Sequence, residues 1–184
     1  MTSAHGFDEV LAAARLGQGW ALTRLFRLYA GPVAGYVRAR SPAEPDDLVN
    51  EVFLSAFRSL DRFAGGETDF RGWLFTIAAR RVVDDLRRRG RSVPTAAYEP
   101  ADDVREISSA EQESLDRLGE QWVRAVLDRL APDQREVLLL RVLGDLTLEQ
   151  IAQQLGKSVG AVKQLQRRGL AAAQRIVTEE GVPL

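Results

Sequence analysis

Apolar side chains recur every three or four residues through this 184-residue chain, and no run alternates one by one. That period belongs to amphipathic helices, and no strand pattern competes with it. The first stretch, Phe7 to Leu16, stops before Gly17 and Gly19. A longer one runs from about Trp20 to Arg40, striped by Leu22, Leu25, Phe26, Leu28, Tyr29, Val33 and Tyr36. Pro32 is expected to kink or divide it, because proline lacks the amide that continues the helix. Ser41 to Pro45 is a break, and Asp46 to Leu60 is a clear amphipathic helix. A loop from Arg62 to Thr68 holds Gly65 and Gly66; a helix from Phe70 to about Arg89 follows, with Trp73, Leu74, Ile77 and Ala78 on one side.

Composition shifts after Arg91. Ser92 to Glu120 holds eight acidic and two basic residues, a net charge of −6, together with Pro94 and Pro100. Its first part reads as a solvated tether. Leu115 to Leu118 is expected to begin a helix that continues through Trp122, Val126 and Leu130. Pro132 then suits a first helical position, with Asp133 and Glu136 placed to complement the helix dipole before a stop near Gly144. Thr147 and Gln150 have capping-box spacing, and Leu146 and Ile151 that of a hydrophobic staple. The short helix ends at Gly156, Ser158 can cap the next one, and the pair reads as a helix-turn-helix. The expected fold is therefore all-α. A helical domain over 1–91 and a helix-turn-helix domain over 119–184 are joined by an acidic linker over 92–118.

Composition removes several function classes. The chain has no cysteine and one histidine, His5, so thiolate metal sites and His-His zinc motifs are excluded. Gly156-Lys157-Ser158 ends like a phosphate-binding loop, but Ile151 stands where the earlier glycine belongs. Asp46, Asp47 and Glu51 share a helix face, read as a solvated or protein-binding face rather than a metal site. No catalytic constellation, metal site or cofactor is expected. Residues 1–10 contain Asp8 and Glu9 and no basic residue, unlike a signal peptide. Apolar runs fall short of the roughly 20 residues that span a bilayer. A cytoplasmic location without membrane insertion follows as an expectation.

Net charge is only −1, but charge acts where it clusters. Gly156 to Val177 carries five basic residues and no acid. Projected as a helix, it sets Gly160, Gln164, Arg167, Arg168 and Arg175 opposite the apolar side. A second helix with basic and amide groups near its start is what major-groove entry requires. The competing reading is an ordinary solvated face. Arg80 to Arg91 has a net charge of +4, and just upstream lie Arg62, Phe63, Phe70, Arg71, Trp73 and Phe75. Aromatics beside arginines can stack on unpaired bases while guanidinium groups hold phosphates. For Trp73 and Phe75 a core role competes strongly.

The ordered set of strings resembles the extracytoplasmic-function (ECF, group IV) sigma factors of bacterial RNA polymerase. It comprises Asp46-Asp47-Leu48-Val49-Asn50-Glu51-Val52-Phe53, Phe70-Arg71-Gly72-Trp73-Leu74-Phe75, Asp84-Asp85-Leu86-Arg87-Arg88-Arg89, Leu130-Ala131-Pro132-Asp133-Gln134-Arg135-Glu136-Val137 and Leu148-Glu149-Gln150-Ile151-Ala152 through Val162-Lys163. The resemblance implies a promoter-specificity subunit rather than an enzyme. Asp46, Asp47, Asn50 and Glu51 would meet the clamp helices of the polymerase β′ subunit. Arg62, Phe63, Phe70, Arg71, Trp73, Arg80, Arg81, Arg87 and Arg88 would serve the −10 element, opening it and holding an extruded base. The second domain would bind the β flap and read the −35 element, with Gln164, Arg167 and Arg168 at base edges, Lys157, Ser158 and Lys163 at phosphates, and Gly160 allowing close approach. Core polymerase, promoter DNA and an anti-sigma factor are the implied partners. Arg80 stands where many relatives carry asparagine, and Leu165-Gln166 replaces the commoner arginine-leucine pair. A helix-turn-helix regulator acting without polymerase, or an adaptor that binds an anti-sigma protein, are the alternatives.

Overall fold

A computed structural model describes residues 6–40, 44–91 and 122–179, and every described element is helical. In the first half, α1 is Phe7–Arg15, α2 Gly19–Arg40, α3 Pro45–Arg58 and α4 Glu67–Arg91, with a 3-10 turn at Leu60–Arg62. A helix at 122–128, α5, opens the second half. It is followed by α6 Pro132–Val142, α7 Leu148–Leu155 and α8 Val159–Glu179. Leu115 to Leu118 and most of the acidic stretch lie outside the described residues.

Local signals account for most boundaries. Proline occupies the first turn of both α3 and α6, where its missing amide costs nothing. Thr147 caps α7 by the complete capping box: its hydroxyl accepts from the Gln150 amide (3.2 Å), and its amide donates to the Gln150 side chain (2.9 Å). Gly156 ends α7 in the left-handed conformation at φ 63°, where a side chain would be strained. Two expectations shift. Pro32 lies inside an unbroken α2 and does not divide it. The helix expected from Phe70 begins three residues earlier, at Glu67, where the Asp69 carboxylate accepts from the Gly66 amide (3.0 Å) and supplies the cap.

Packing sets the two halves together. α2 lies on α3, α3 on α4 and α1 on α2, while α6 and α7 pack on α8. Fully buried side chains of the first half, among them Leu25, Val33, Tyr36, Phe70, Phe75 and Ala78, share one apolar cluster with Val137, Leu140, Leu146 and Ile151 of the second. Each such aliphatic side chain contributes roughly 1.5–3 kcal/mol when withdrawn from water. A smaller cluster of Val126, Leu130, Leu138 and Ile176 ties α5 to α6 and α8. Among the described residues the two halves are closed on one another.

Candidate nucleic-acid interface

The helix-turn-helix presents its predicted face to solvent. Gly160, Lys163, Gln164, Arg167 and Arg168 are exposed, while Val162 and Gly169 are buried on the other side of α8. Gly169 packs closely there: an added Cβ would lie 3.1 Å from Leu138, which would have to give by a few tenths of an ångström. The Ser158 hydroxyl accepts from the Ala161 amide (3.2 Å) and caps α8 as expected. Arg167 donates to the Gln164 side-chain oxygen (3.0 Å), which fixes two neighbouring polar groups on one turn. Lys157 pairs with Asp133 of α6 at 2.8 Å.

The aromatic and arginine-rich residues of the first half divide into interior and surface. Phe70 is wholly buried; its ring centroid lies 5.3 Å from Tyr29, 5.4 Å from Phe63 and 5.5 Å from Trp73. Phe63 is buried too, at 6% exposure, and only Trp73 of the three is half-buried. Phe63 and Phe70, expected at the −10 element, are a buried floor packed on Trp73, and Phe63 also lines the cleft beside it. Apolar rings at helical spacing are drawn into the core, which also takes Phe75. Arg15 holds the loop above this floor by donating to the Leu60 and Phe63 carbonyls. Gly65 makes that loop possible, since at φ 139° a Cβ would come within 2.7 Å of Asp69.

A cleft of about 1140 Å³ opens beside the floor. Arg62, Phe63, Trp73, Arg80 and Arg87 line one wall; Asp133, Gln150, Gln153 and Gln154 line the facing wall. Arg71 does not stay free: it pairs with Asp145, which sits in the left-handed region at φ 49°, and its guanidinium lies 5.8 Å from the Tyr29 ring. Arg88 and Arg89 pair with the buried carboxylate of Asp85 (3.6 and 2.8 Å), and Arg87 with Asp84 (3.9 Å). The two acids already counted in the +4 of this segment thus pair with arginines of their own helix.

On α3, Asp46, Asp47 and Asn50 are exposed. Asp46 pairs with Arg38 (3.1 Å), and Glu51 lies 3.8 Å from Arg81. Leu54 was not anticipated on this face, yet it is 53% exposed one turn beyond Asn50 and Glu51. The available signal was its position off the buried stripe of Leu48, Val49, Val52, Phe53 and Ala56.

Sequence families match both halves of this arrangement: sigma-70 region 2 over residues 25–92 and sigma-70 region 4 over residues 120–172. The ECF RNA polymerase sigma factor SigD of Mycobacterium tuberculosis is 34% identical over 89% of this chain and 80% of its own. The chain belongs to the ECF RNA polymerase sigma factors. As such it directs promoter-specific transcription initiation. BldN of Streptomyces coelicolor, another ECF sigma factor, is 30% identical over 94% of this chain and 66% of its own length. The fold is shared with the sigma factor RpoE of Bartonella quintana, solved with the anti-sigma factor NepR. There the TM-score is 0.61 at 22% identity, covering 85% of this chain and 96% of that one.

One polar group of this sigma factor has a second role that the sequence did not reveal. Glu136, expected to complement the α6 dipole, is only 9% exposed. The Tyr36 hydroxyl donates to its carboxylate (2.6 Å) and Arg40 pairs with it (3.1 Å). Burial, then the adjacent Glu136 carboxylate, pushes the Tyr36 hydroxyl well above the usual tyrosine range. Tyr29 is pushed up to about 12 by burial and by Glu67, whose carboxylate accepts its hydroxyl at 3.3 Å. No helix among the described residues is long and apolar enough to cross a membrane.

Proposed function

We propose that this sigma factor divides promoter recognition between its two halves and acts in the cytoplasm as a non-catalytic subunit of the polymerase. The exposed polar edge of α8 carries the proposal. It presents Lys163, Gln164, Arg167 and Arg168 to solvent, with no ion pair to an acidic residue among the described residues, behind a doubly capped turn. A fixed helix start with bidentate-capable side chains on its outer edge matches major-groove reading, here of the −35 element. Gln164, Arg167 and Arg168 read base edges; Lys157, Ser158 and Lys163 set the phosphate register, and Gly160 leaves room for the backbone.

The cleft wall of Arg62, Trp73, Arg80 and Arg87 serves the −10 element, with Arg71, Arg81 and Arg88 along the same helix. An extruded base gains stacking on an aromatic face and loses a few kcal/mol of duplex stacking, so a wall with both rings and guanidinium groups favours the open strand. Phe63 and Phe70 keep Trp73 in place. The α3 face of Asp46, Asp47, Asn50 and Glu51, with Leu54 as its apolar centre, meets the β′ clamp helices, and the second domain meets the β flap. An anti-sigma factor would act by covering these surfaces.

Run-off transcription with purified core polymerase on a panel of promoters tests the assignment. Promoter-dependent transcripts that vanish with Arg167→Ala/Arg168→Ala support it. Tight duplex binding by the free chain, with no transcript from any promoter, would identify a regulator instead. Leu54→Asp is expected to weaken polymerase binding tenfold or more, the value of a buried leucine at an interface, and to leave duplex affinity unchanged.

A further inference from the structure

We propose that Glu136, held between Tyr36 and Arg40, is an interdomain latch that sets the register in which the apolar cluster closes the free protein, a form unable to engage both promoter elements. The inference rests on the reading of α8 and the cleft wall given above. The two elements lie 25 base pairs apart by name, or about 85 Å along B-form DNA at ~3.4 Å per pair. In the closed form Gln150 of the helix-turn-helix donates to the Thr68 carbonyl (3.0 Å), and its side chain lies 3.0 Å from where a Gly72 Cβ would stand. Gln154 stands 3.4 Å from the Thr76 hydroxyl, and Asp145 holds Arg71. α7 therefore sits against the start of α4, the helix assigned to the −10 strand. Two halves in such contact cannot reach sites 85 Å apart. The 30 residues between Arg91 and Trp122 can, since an extended chain covers up to about 100 Å over that length.

Glu136 differs from the other contacts across this boundary because it is a buried charge. The apolar cluster supplies attraction without direction, whereas a carboxylate that accepts one hydroxyl at 2.6 Å and faces one guanidinium nitrogen at 3.1 Å meets both in a single register. Burying the pair also forfeits hydration of both ions, so it adds specificity rather than strength. When the halves part, Glu136 and Arg40 regain water together, and neither is stranded. A latch of this kind closes in one geometry and releases without a large penalty.

The chain lacks cysteine, so paired spin labels at Ala12→Cys and Gln174→Cys, both exposed, report the separation of the halves in the full-length protein. Glu136→Gln keeps an acceptor for Tyr36 and leaves Arg40 uncompensated. The ratio of long to short distances is expected to rise about tenfold or more, with faster promoter-complex formation on core polymerase. Arg40→Met/Glu136→Leu removes both charges and should have the opposite effect, fewer long distances and slower complex formation. Far-UV circular dichroism confirms that each variant keeps its helix content. Unchanged distance distributions in both variants, with transcription intact, would overturn the latch alone. Distances that shift as stated, with no transcript from any form, would overturn the sigma-factor surfaces and leave the latch standing.

Discussion

Arg167 and Arg168 stand side by side on the exposed edge of α8, and what they touch can be told apart by measurement. Replacing either by alanine is expected to cost about 1–3 kcal/mol of holoenzyme affinity for the promoter where the contact is to a base. A phosphate contact would instead lower the slope of log affinity against log salt by roughly one. Filter binding across a salt series separates the two. At the opposite extreme of exposure, Tyr29 and Tyr36 are neutral groups that folding protects. Their folded pKa values, about 12 for Tyr29 and higher than usual for Tyr36, exceed the unfolded value of 10.0. The unfolded chain therefore releases these protons first. Stability from both tyrosines is complete below pH 10 and falls as pH rises through 10 towards 12 and beyond. Phenolate absorbance during an alkaline titration should show two residues resisting ionisation until the fold is lost, and Tyr36→Phe should remove one of them.

At the level of the helix, the turn before α7 is the part most fully determined by local sequence. Thr147→Ala removes the hydroxyl half of the capping box and is expected to cost ~1 kcal/mol, read as a lower thermal midpoint. Thr147→Ser should restore most of it. The capping box, the Gly156 stop, the Ser158 cap and the proline start of α6 were all legible in the sequence, because each joins residues within four positions; Pro45, read as part of the preceding break, instead begins α3. The helical stripes were legible for the same reason. Pro32 was not, since α2 continues through it and tertiary packing outweighs one lost amide bond. Nor was the burial of Phe63 and Phe70. Aromatics beside arginines look alike whether they stack on a base or pave a core, and only the neighbouring helices decide.

Across the whole molecule, what escaped the sequence is long-range. Tyr36 and Arg40 meet Glu136 across 100 and 96 positions, and Arg71 meets Asp145 across 74; no periodicity signals such a pairing. Charge segregation was legible, Asp84 and Asp85 included, but which arginines those two acids pair with is decided by the fold. Because Val137, Leu140, Leu146 and Ile151 share the cluster of Leu25, Phe70 and Phe75, the two halves should melt together. Calorimetry of the free chain is expected to show one transition, which splits when Leu140→Asp breaks the shared cluster. That same boundary carries a thermal consequence. Hiding apolar surface lowers heat capacity, so the attraction between the halves weakens on cooling. A protein closed mainly by Leu140, Leu146 and Ile151 against aromatic rings is thus a temperature-responsive object, readier to part in the cold.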